Sequence, residues 1–304
     1  MYRRFFGLKE KPFEITPDPR FLYRSDTHKE ALANLKYAVR EGKGFTVITG
    51  EVGTGKTMLI HSLLSTIDGN VRTAYMFNPN LRPTDFLNYI CDDLGLKSDE
   101  LRSRGQSLTM LHNFLLECYE KNEKVYLIID EAQSLNPKLL EEVRLLTNLE
   151  TAKSKLLHLI LMGQPELDNM LADKGLRQLK QRITIRHRIT PLDQRDTKDY
   201  ILHRLKVAGA KQINIFDEGA IKEIYRYSTG IPRLINIVCD NALITGFSRE
   251  EKKITKSIIK EVVRDLEGPA YTPKSKFNWK ISLLLILIVL LVIVAFDYFI
   301  LNKK

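Results

Sequence analysis

The sequence predicts an α/β protein: a mostly parallel sheet sandwiched by helices, then a small all-helical domain, then one C-terminal membrane-spanning helix. Three observations carry this. Short β-branched strands alternate with helical stretches as far as about Pro191, the pattern of strand-helix-strand units. From there to Leu266 only helical periodicity appears. From Ile281 to Leu301 an apolar run is interrupted only by Ser282 and Asp297, and as a helix it spans roughly 30 Å, one bilayer core.

Residues 1–25 are rich in aromatics and prolines and predict an irregular arm, because each proline removes an N–H and restricts its predecessor. The body that follows, 26–190, opens with a helix. Thr27 and Glu30 suggest its capping box, Leu32, Leu35, Ala38 and Val39 its apolar face, and Gly42 with Gly44 its end. Phe45–Thr49 is the first strand and Met58–Leu64 the next helix. Later strands are expected at Val71–Phe77, Val125–Ile129, Leu156–Met162 and Ile183–Ile189, with helices at Thr84–Leu94 and Ser107–Tyr119. Residues 191–267 form the helical domain and 268–280 a linker. The membrane helix, 281–301, has Trp279, Lys280, Tyr298, Lys303 and Lys304 as interfacial anchors. No apolar leader follows Met1-Tyr2-Arg3-Arg4-Phe5, so no signal peptide is expected.

Composition narrows the chemistry. At 304 residues the chain can bury two cores. Cys91, Cys118 and Cys239 are far apart and odd in number, which excludes a disulfide framework and a CxxC metal site. The six histidines lack metal-ligand spacing. The net charge of +10 is spread over scattered Lys and Arg, a solvated basic surface rather than a nucleic-acid stripe.

The residues Gly50, Glu51, Val52, Gly53, Thr54, Gly55, Lys56 and Thr57 match GxxxxGK[ST], and the helix begins at Met58. A strand feeding a glycine turn that opens a helix aims backbone N–H groups and the helix dipole at one spot. Lys56 reaches toward β/γ-phosphates and Thr57 is a Mg²⁺ ligand, so ATP with Mg²⁺ is the expected pair. Ile128-Ile129-Asp130-Glu131 supplies the complement. A buried strand ends in Asp130, a second group for Mg²⁺, and Glu131 is the candidate base that polarises water.

With these motifs the chain resembles the AAA+ ATPases. Leu161-Met162-Gly163-Gln164-Pro165-Glu166-Leu167, Arg177-Gln178-Leu179-Lys180-Gln181-Arg182-Ile183, Gly230-Ile231-Pro232-Arg233 and the opening Phe5-Phe6-Gly7-Leu8 narrow the resemblance. They are similar to the ExeA, or general secretion pathway protein A, group, which includes MshM-type ATPases and those of exosortase and polysaccharide-export systems. The resemblance spans residues 1–267. It implies that Gln164 is a sensor near the γ-phosphate and that Arg233 is a second sensor on the helical lid. It implies Arg182 as an arginine finger offered to a neighbouring subunit, with Arg177 and Arg186 as alternatives. It also implies that the aromatic-proline arm covers the adenine, with Phe13, Pro19 and Phe21 either there or in core packing.

The implied activity is ATP hydrolysis by a homo-oligomeric ring at the bacterial inner membrane. The body lies in the cytoplasm, working with an envelope secretion, pilus or polysaccharide partner. Secretion members of the group continue into a peptidoglycan-binding domain; only Asn302-Lys303-Lys304 follow the apolar run here, so that binding is not expected. Two alternatives stand beside this reading: a DNA-linked ATPase of the transposition-helper type, and a nucleotide-gated scaffold with little turnover.

Overall fold

The computed structural model describes residues 1–67, 69–96 and 103–268. In chain order its elements are α1 (Tyr2–Phe5), α2 (Asp26–Glu41), β1 (Phe45–Gly50), α3 (Lys56–Leu64), β2 (Val71–Met76), α4 (Pro83–Asp93), α5 (Arg104–Glu120), β3 (Lys124–Ile129), α6 (Pro137–Leu146), β4 (Leu157–Gly163), α7 (Pro165–Leu171), α8 (Arg177–Lys180), β5 (Ile185–Ile189) and the helices α9 (Gln194–Val207), α10 (Glu218–Ser228), α11 (Pro232–Ser248) and α12 (Lys256–Glu267). Met1–Val263 forms one compact unit.

The five strands pair in parallel in the order β2-β3-β4-β1-β5. Alternate residues of each strand face opposite sides, and the two sides carry separate cores. Ile48, Tyr126, Ile128, Ile160 and Met162 pack with Ala31, Leu32 and Leu35 of α2 and Leu59, Ile60 and Leu63 of α3. Val47, Leu127, Ile129, Leu159 and Leu161 pack instead with Phe86, Leu87 and Ile90 of α4, Leu111 and Leu115 of α5 and Leu139 and Val143 of α6. With both faces covered, β1, β3 and β4 are apolar almost throughout, as a buried parallel sheet requires. The predicted sheet sandwiched by helices is thus observed, with β4 one residue later and β5 shorter than expected.

Two local expectations change. The box built on Thr27 and Glu30 does not form: α2 starts at Asp26, its N-cap is Ser25, and no side chain caps the backbone there. The Ser25 hydroxyl turns to the ring of His28 instead, 2.6 Å away. Gly42 does end the helix, in the left-handed conformation that favours glycine. The arm is mostly irregular but contains the short α1. It lies along the helical segment: Tyr2 donates to Asp240 at 2.5 Å, and the Lys9 N–H donates to the Ala208 carbonyl at 2.9 Å.

The predicted membrane helix, 281–301, and most of the linker lie outside the described residues. Among the described residues no helix is long and apolar enough to cross a membrane.

Candidate nucleotide site

Parallel strands put their C-terminal ends on one edge of the sheet, and β1, β3 and β4 each hand a functional residue to it. After β1 the chain turns through Gly53 and Gly55, both at positive φ (81° and 96°), and enters α3 at Lys56. Gly53 has a second reason to lack a side chain: a Cβ there would lie 2.6 Å from Cβ of Arg233. The Thr54 hydroxyl donates to the Glu51 carbonyl at 2.7 Å and closes the loop.

Lys56 is 5% exposed. Its Nζ donates to the carbonyls of Gly50 (2.8 Å) and Glu51 (3.1 Å), folding back over the loop. Burial pulls its pKa below the ordinary lysine range, opposed by the carboxylates of Glu131 and Asp130. The Thr57 hydroxyl donates to Asp130 Oδ2 at 2.7 Å, so the two expected Mg²⁺ groups converge although 73 residues apart. Tyr75 on β2 also donates to Asp130 Oδ2, at 3.2 Å. Burial and the Asp130 charge push the Tyr75 pKa above the ordinary tyrosine range, keeping it a donor.

Glu131 adopts the left-handed conformation (φ 50°, ψ 37°), rare for a side chain larger than glycine and a mark of local strain. Two amides meet its Oε2: Gln133 Nε2 at 2.6 Å and Gln164 Nε2 at 3.1 Å. Gln133 also accepts from the Gln164 backbone N–H at 2.9 Å, so one amide ties the ends of β3 and β4 together. A Cβ on Gly163 would sit 2.9 Å from Gln133 Oε1, which explains the glycine before Gln164.

The cleft beside the loop has a volume of about 230 Å³ and is lined by Val52, Met58, Glu131, Tyr200 and Arg233, with Ile15 and Pro17 of the arm. The arm therefore reaches the cleft, through Ile15 and Pro17. Phe13 is buried against Phe216, with ring centroids 5.9 Å apart, and Phe21 is buried under the guanidinium of Arg204 at 4.8 Å. Both are core packing. The Arg233 backbone N–H donates to the Gly53 carbonyl at 3.2 Å, joining the start of α11 to the loop, and its side chain is exposed.

The three arginines near β5 differ. Arg182 donates to Thr147 Oγ1 and Asn148 Oδ1 of its own chain, both at 2.5 Å. Arg186 lies 3.6 Å from Asp168. Arg177 is exposed, and its guanidinium has no hydrogen bond or ion pair among the described residues. The structure brings Lys56, Thr57, Asp130, Glu131 and Gln164 together. Sequence reasoning missed Tyr75, Gln133 and His28, whose contacts cross between elements.

This arrangement matches known proteins in sequence and in shape. Residues 39–171 match the family model described as an AAA domain. General secretion pathway protein A of Aeromonas hydrophila is 44% identical over 268 residues, covering 88% of this chain. The chain carries an AAA domain and is similar to general secretion pathway protein A over most of its length. It spans about half (49%) of that relative's length. Among solved structures, Cdc6p from Pyrobaculum aerophilum has a TM-score of 0.64 at 18% identity, covering 81% of this chain and 70% of its own. The Aeropyrum pernix ORC2 protein, solved in ADPNP-ADP complexes, has a TM-score of 0.62 at 17% identity, covering 84% and 72%. At such identities these two share the fold alone.

Proposed function

We propose that this AAA+ protein is a Mg²⁺-dependent ATPase, anchored in the bacterial inner membrane by residues 281–301 with its body in the cytoplasm. It works as a homo-oligomeric ring that drives assembly or export of a cell-envelope system. The observation that carries the ATPase reading is the convergence of buried Lys56, Thr57 and Asp130 at one end of the sheet, with Glu131 beside them under two amides. The similarity to general secretion pathway protein A supports the envelope role.

The donor set fits the cation. A hydroxyl and a carboxylate 2.7 Å apart are hard oxygen groups, too few for a protein-only cage and suited to a cation that also takes phosphate oxygens and water. Among the described residues no cluster of three or more His, Cys, Asp or Glu forms a separate metal site. Thr57 and Asp130 would hold Mg²⁺, which supplies charge neutralisation on the phosphates when bound.

Lys56 leaves its two carbonyl partners for the β/γ-phosphates, and backbone N–H groups from Gly53 to Met58 cradle the rest. Glu131 orients and deprotonates the attacking water; Gln164 holds Glu131 in place. Arg233, at the start of α11, reaches back to the γ-phosphate and couples the lid helices to nucleotide state. For the finger given to a neighbour, Arg177 is better disposed than Arg182, whose guanidinium is already engaged in its own chain.

The test is ATP turnover by the purified chain with and without Mg²⁺. Activity is expected to vanish without Mg²⁺ and in Lys56→Ala, with tight nucleotide binding lost in that variant. Metal-independent turnover, or turnover intact in Lys56→Ala, would overturn the reading. Mixing Glu131→Gln chains with Arg177→Ala chains should restore part of the turnover, whereas Arg182→Ala alone should keep its turnover.

A further inference from the structure

His28 has no part in the roles above, yet it touches the phosphate loop from outside. It lies in the first turn of α2 and is 3% exposed. Its Nε2 is 2.8 Å from the carbonyl oxygen of Thr54, and its Nδ1 is 2.6 Å from Ser25 Oγ. A carbonyl oxygen can only accept, so Nε2 carries the hydrogen. The Ser25 hydroxyl then donates to the bare Nδ1. Both ring nitrogens are satisfied in one neutral tautomer, and burial keeps the imidazole pKa below its ordinary range.

The peptide between Thr54 and Gly55 is planar and trans, so its C=O and N–H point in opposite directions. Holding the carbonyl toward α2 turns the Gly55 N–H away from α2, toward the inside of the loop. The loop does not enforce this by itself. Gly55 sits at φ 96° and has no Cβ, so it accepts either sign of φ and does not resist a flip of the preceding peptide. A flipped peptide would present an oxygen to the phosphates in place of a donor.

We propose that His28 is a positioning residue for the triphosphate, locking the Thr54–Gly55 peptide so that the Gly55 N–H faces the phosphate oxygens. This rests on the reading that the loop binds a nucleoside triphosphate. The ring packs directly on the loop: a Cβ at Gly55 would lie 3.4 Å from His28 Nε2. The start of α2 is held by other means as well. His187 on β5 is hydrogen-bonded to the Thr27 carbonyl at 3.0 Å, and Tyr23 donates to Asp196 at 2.9 Å. Removing the imidazole therefore frees the loop peptide while leaving α2 in place.

The experiment measures the affinity of the full chain for a fluorescent ATP analogue with Mg²⁺, alongside thermal melting. His28→Ala should bind about tenfold more weakly, or about 1.4 kcal/mol, with its Tm little changed. His28→Gln puts an amide N–H near the position of Nε2 and should recover affinity to within about threefold of wild type. Ser25→Ala keeps the ring but removes the group that selects its tautomer, and should weaken binding about two- to threefold. Wild-type affinity in His28→Ala, or His28→Gln no better than His28→Ala, overturns the proposal. Should His28→Ala fail to fold, Ser25→Ala still decides it: a two- to threefold loss of affinity with an unchanged Tm supports the proposal, and wild-type affinity overturns it. A wild-type chain that does not bind the analogue overturns the nucleotide reading and this proposal with it. Binding that is lost in Lys56→Ala but intact in His28→Ala overturns this proposal alone.

Discussion

The phosphate loop and the carboxylates at the end of β3 sit side by side but are shaped by different kinds of contact. In the loop the side chains of Lys56, Thr54 and His28 all end on backbone carbonyls, of Gly50, Glu51 and Thr54. Asp130 and Glu131 are held mainly by other side chains: Thr57 and Tyr75 on one, Gln133 and Gln164 on the other. The loop is thus a backbone shape maintained from several sides, whereas the carboxylates are an arrangement of side chains drawn from three strands and a helix. Substitutions at the first should show in affinity. Substitutions at the second should show in rate.

The largest expected effect is at Glu131. Glu131→Gln keeps the shape and the strained backbone but removes the base, so kcat should fall about 10²- to 10⁴-fold while nucleotide affinity stays within a few-fold. Stopped turnover together with lost binding would mean that the two regions are not separable. The next is Gln133→Ala, which removes an amide from both Glu131 and the Gln164 N–H. A fall of about tenfold in kcat with little change in KM is expected, roughly 1.4 kcal/mol of transition-state stabilisation. A rise in KM alone would place Gln133 with the loop instead. For Arg233→Ala the comparison sharpens, because its backbone N–H holds Gly53 while its side chain is free to reach nucleotide. The variant keeps the backbone contact, so kcat/KM should fall several-fold with no loss of stability, read from kinetics and melting together.

The same contrast explains what the sequence could reveal. The strand, the glycine turn and α3 are contiguous, so Phe45 to Leu64 was readable residue by residue. Asp130 and Glu131 were readable because a buried apolar strand must end somewhere, and the motif marks where. Tyr75 was not readable: its closeness to Asp130 depends on the register of β2 on β3, which sets Tyr75 opposite Ile128 and on the face that Asp130 shares. Gln133 depends likewise on β3 lying beside β4. At α2 the pattern Thr27…Glu30 was present but did not form, because Ser25 lies earlier and its hydroxyl is drawn to a ring that itself answers to the loop. A cap is a local signal, and here a distant contact overrode it. The arm left two roles open for its aromatics, and contacts distant in sequence decide between them: Phe13 packs on Phe216 and Phe21 under Arg204, while Ile15 and Pro17 line the cleft.

At neutral pH the smallest effect belongs to a histidine remote from both regions. His158 on β4 is stacked on Tyr126, with centroids 4.8 Å apart and planes 23° from parallel, and its Nδ1 has no hydrogen-bond partner. Burial, aided by the charge of Lys124, lowers its pKa from 6.5 to about 4. The unfolded chain therefore binds a proton more readily than the folded one between those values, and folding stability falls as pH drops through that window. At pH 6 the loss is under about 1 kcal/mol, growing to roughly 3 kcal/mol well below pH 4. His28 and His203 are shifted in the same direction, so the wild-type slope is a sum. His158→Phe keeps the ring stack without a titrating group, and the difference between its denaturation profile and that of wild type isolates the one residue. Because His158 touches neither loop nor carboxylates, nucleotide affinity and kcat at neutral pH should match wild type; a change in either would show that the sheet transmits packing to the site.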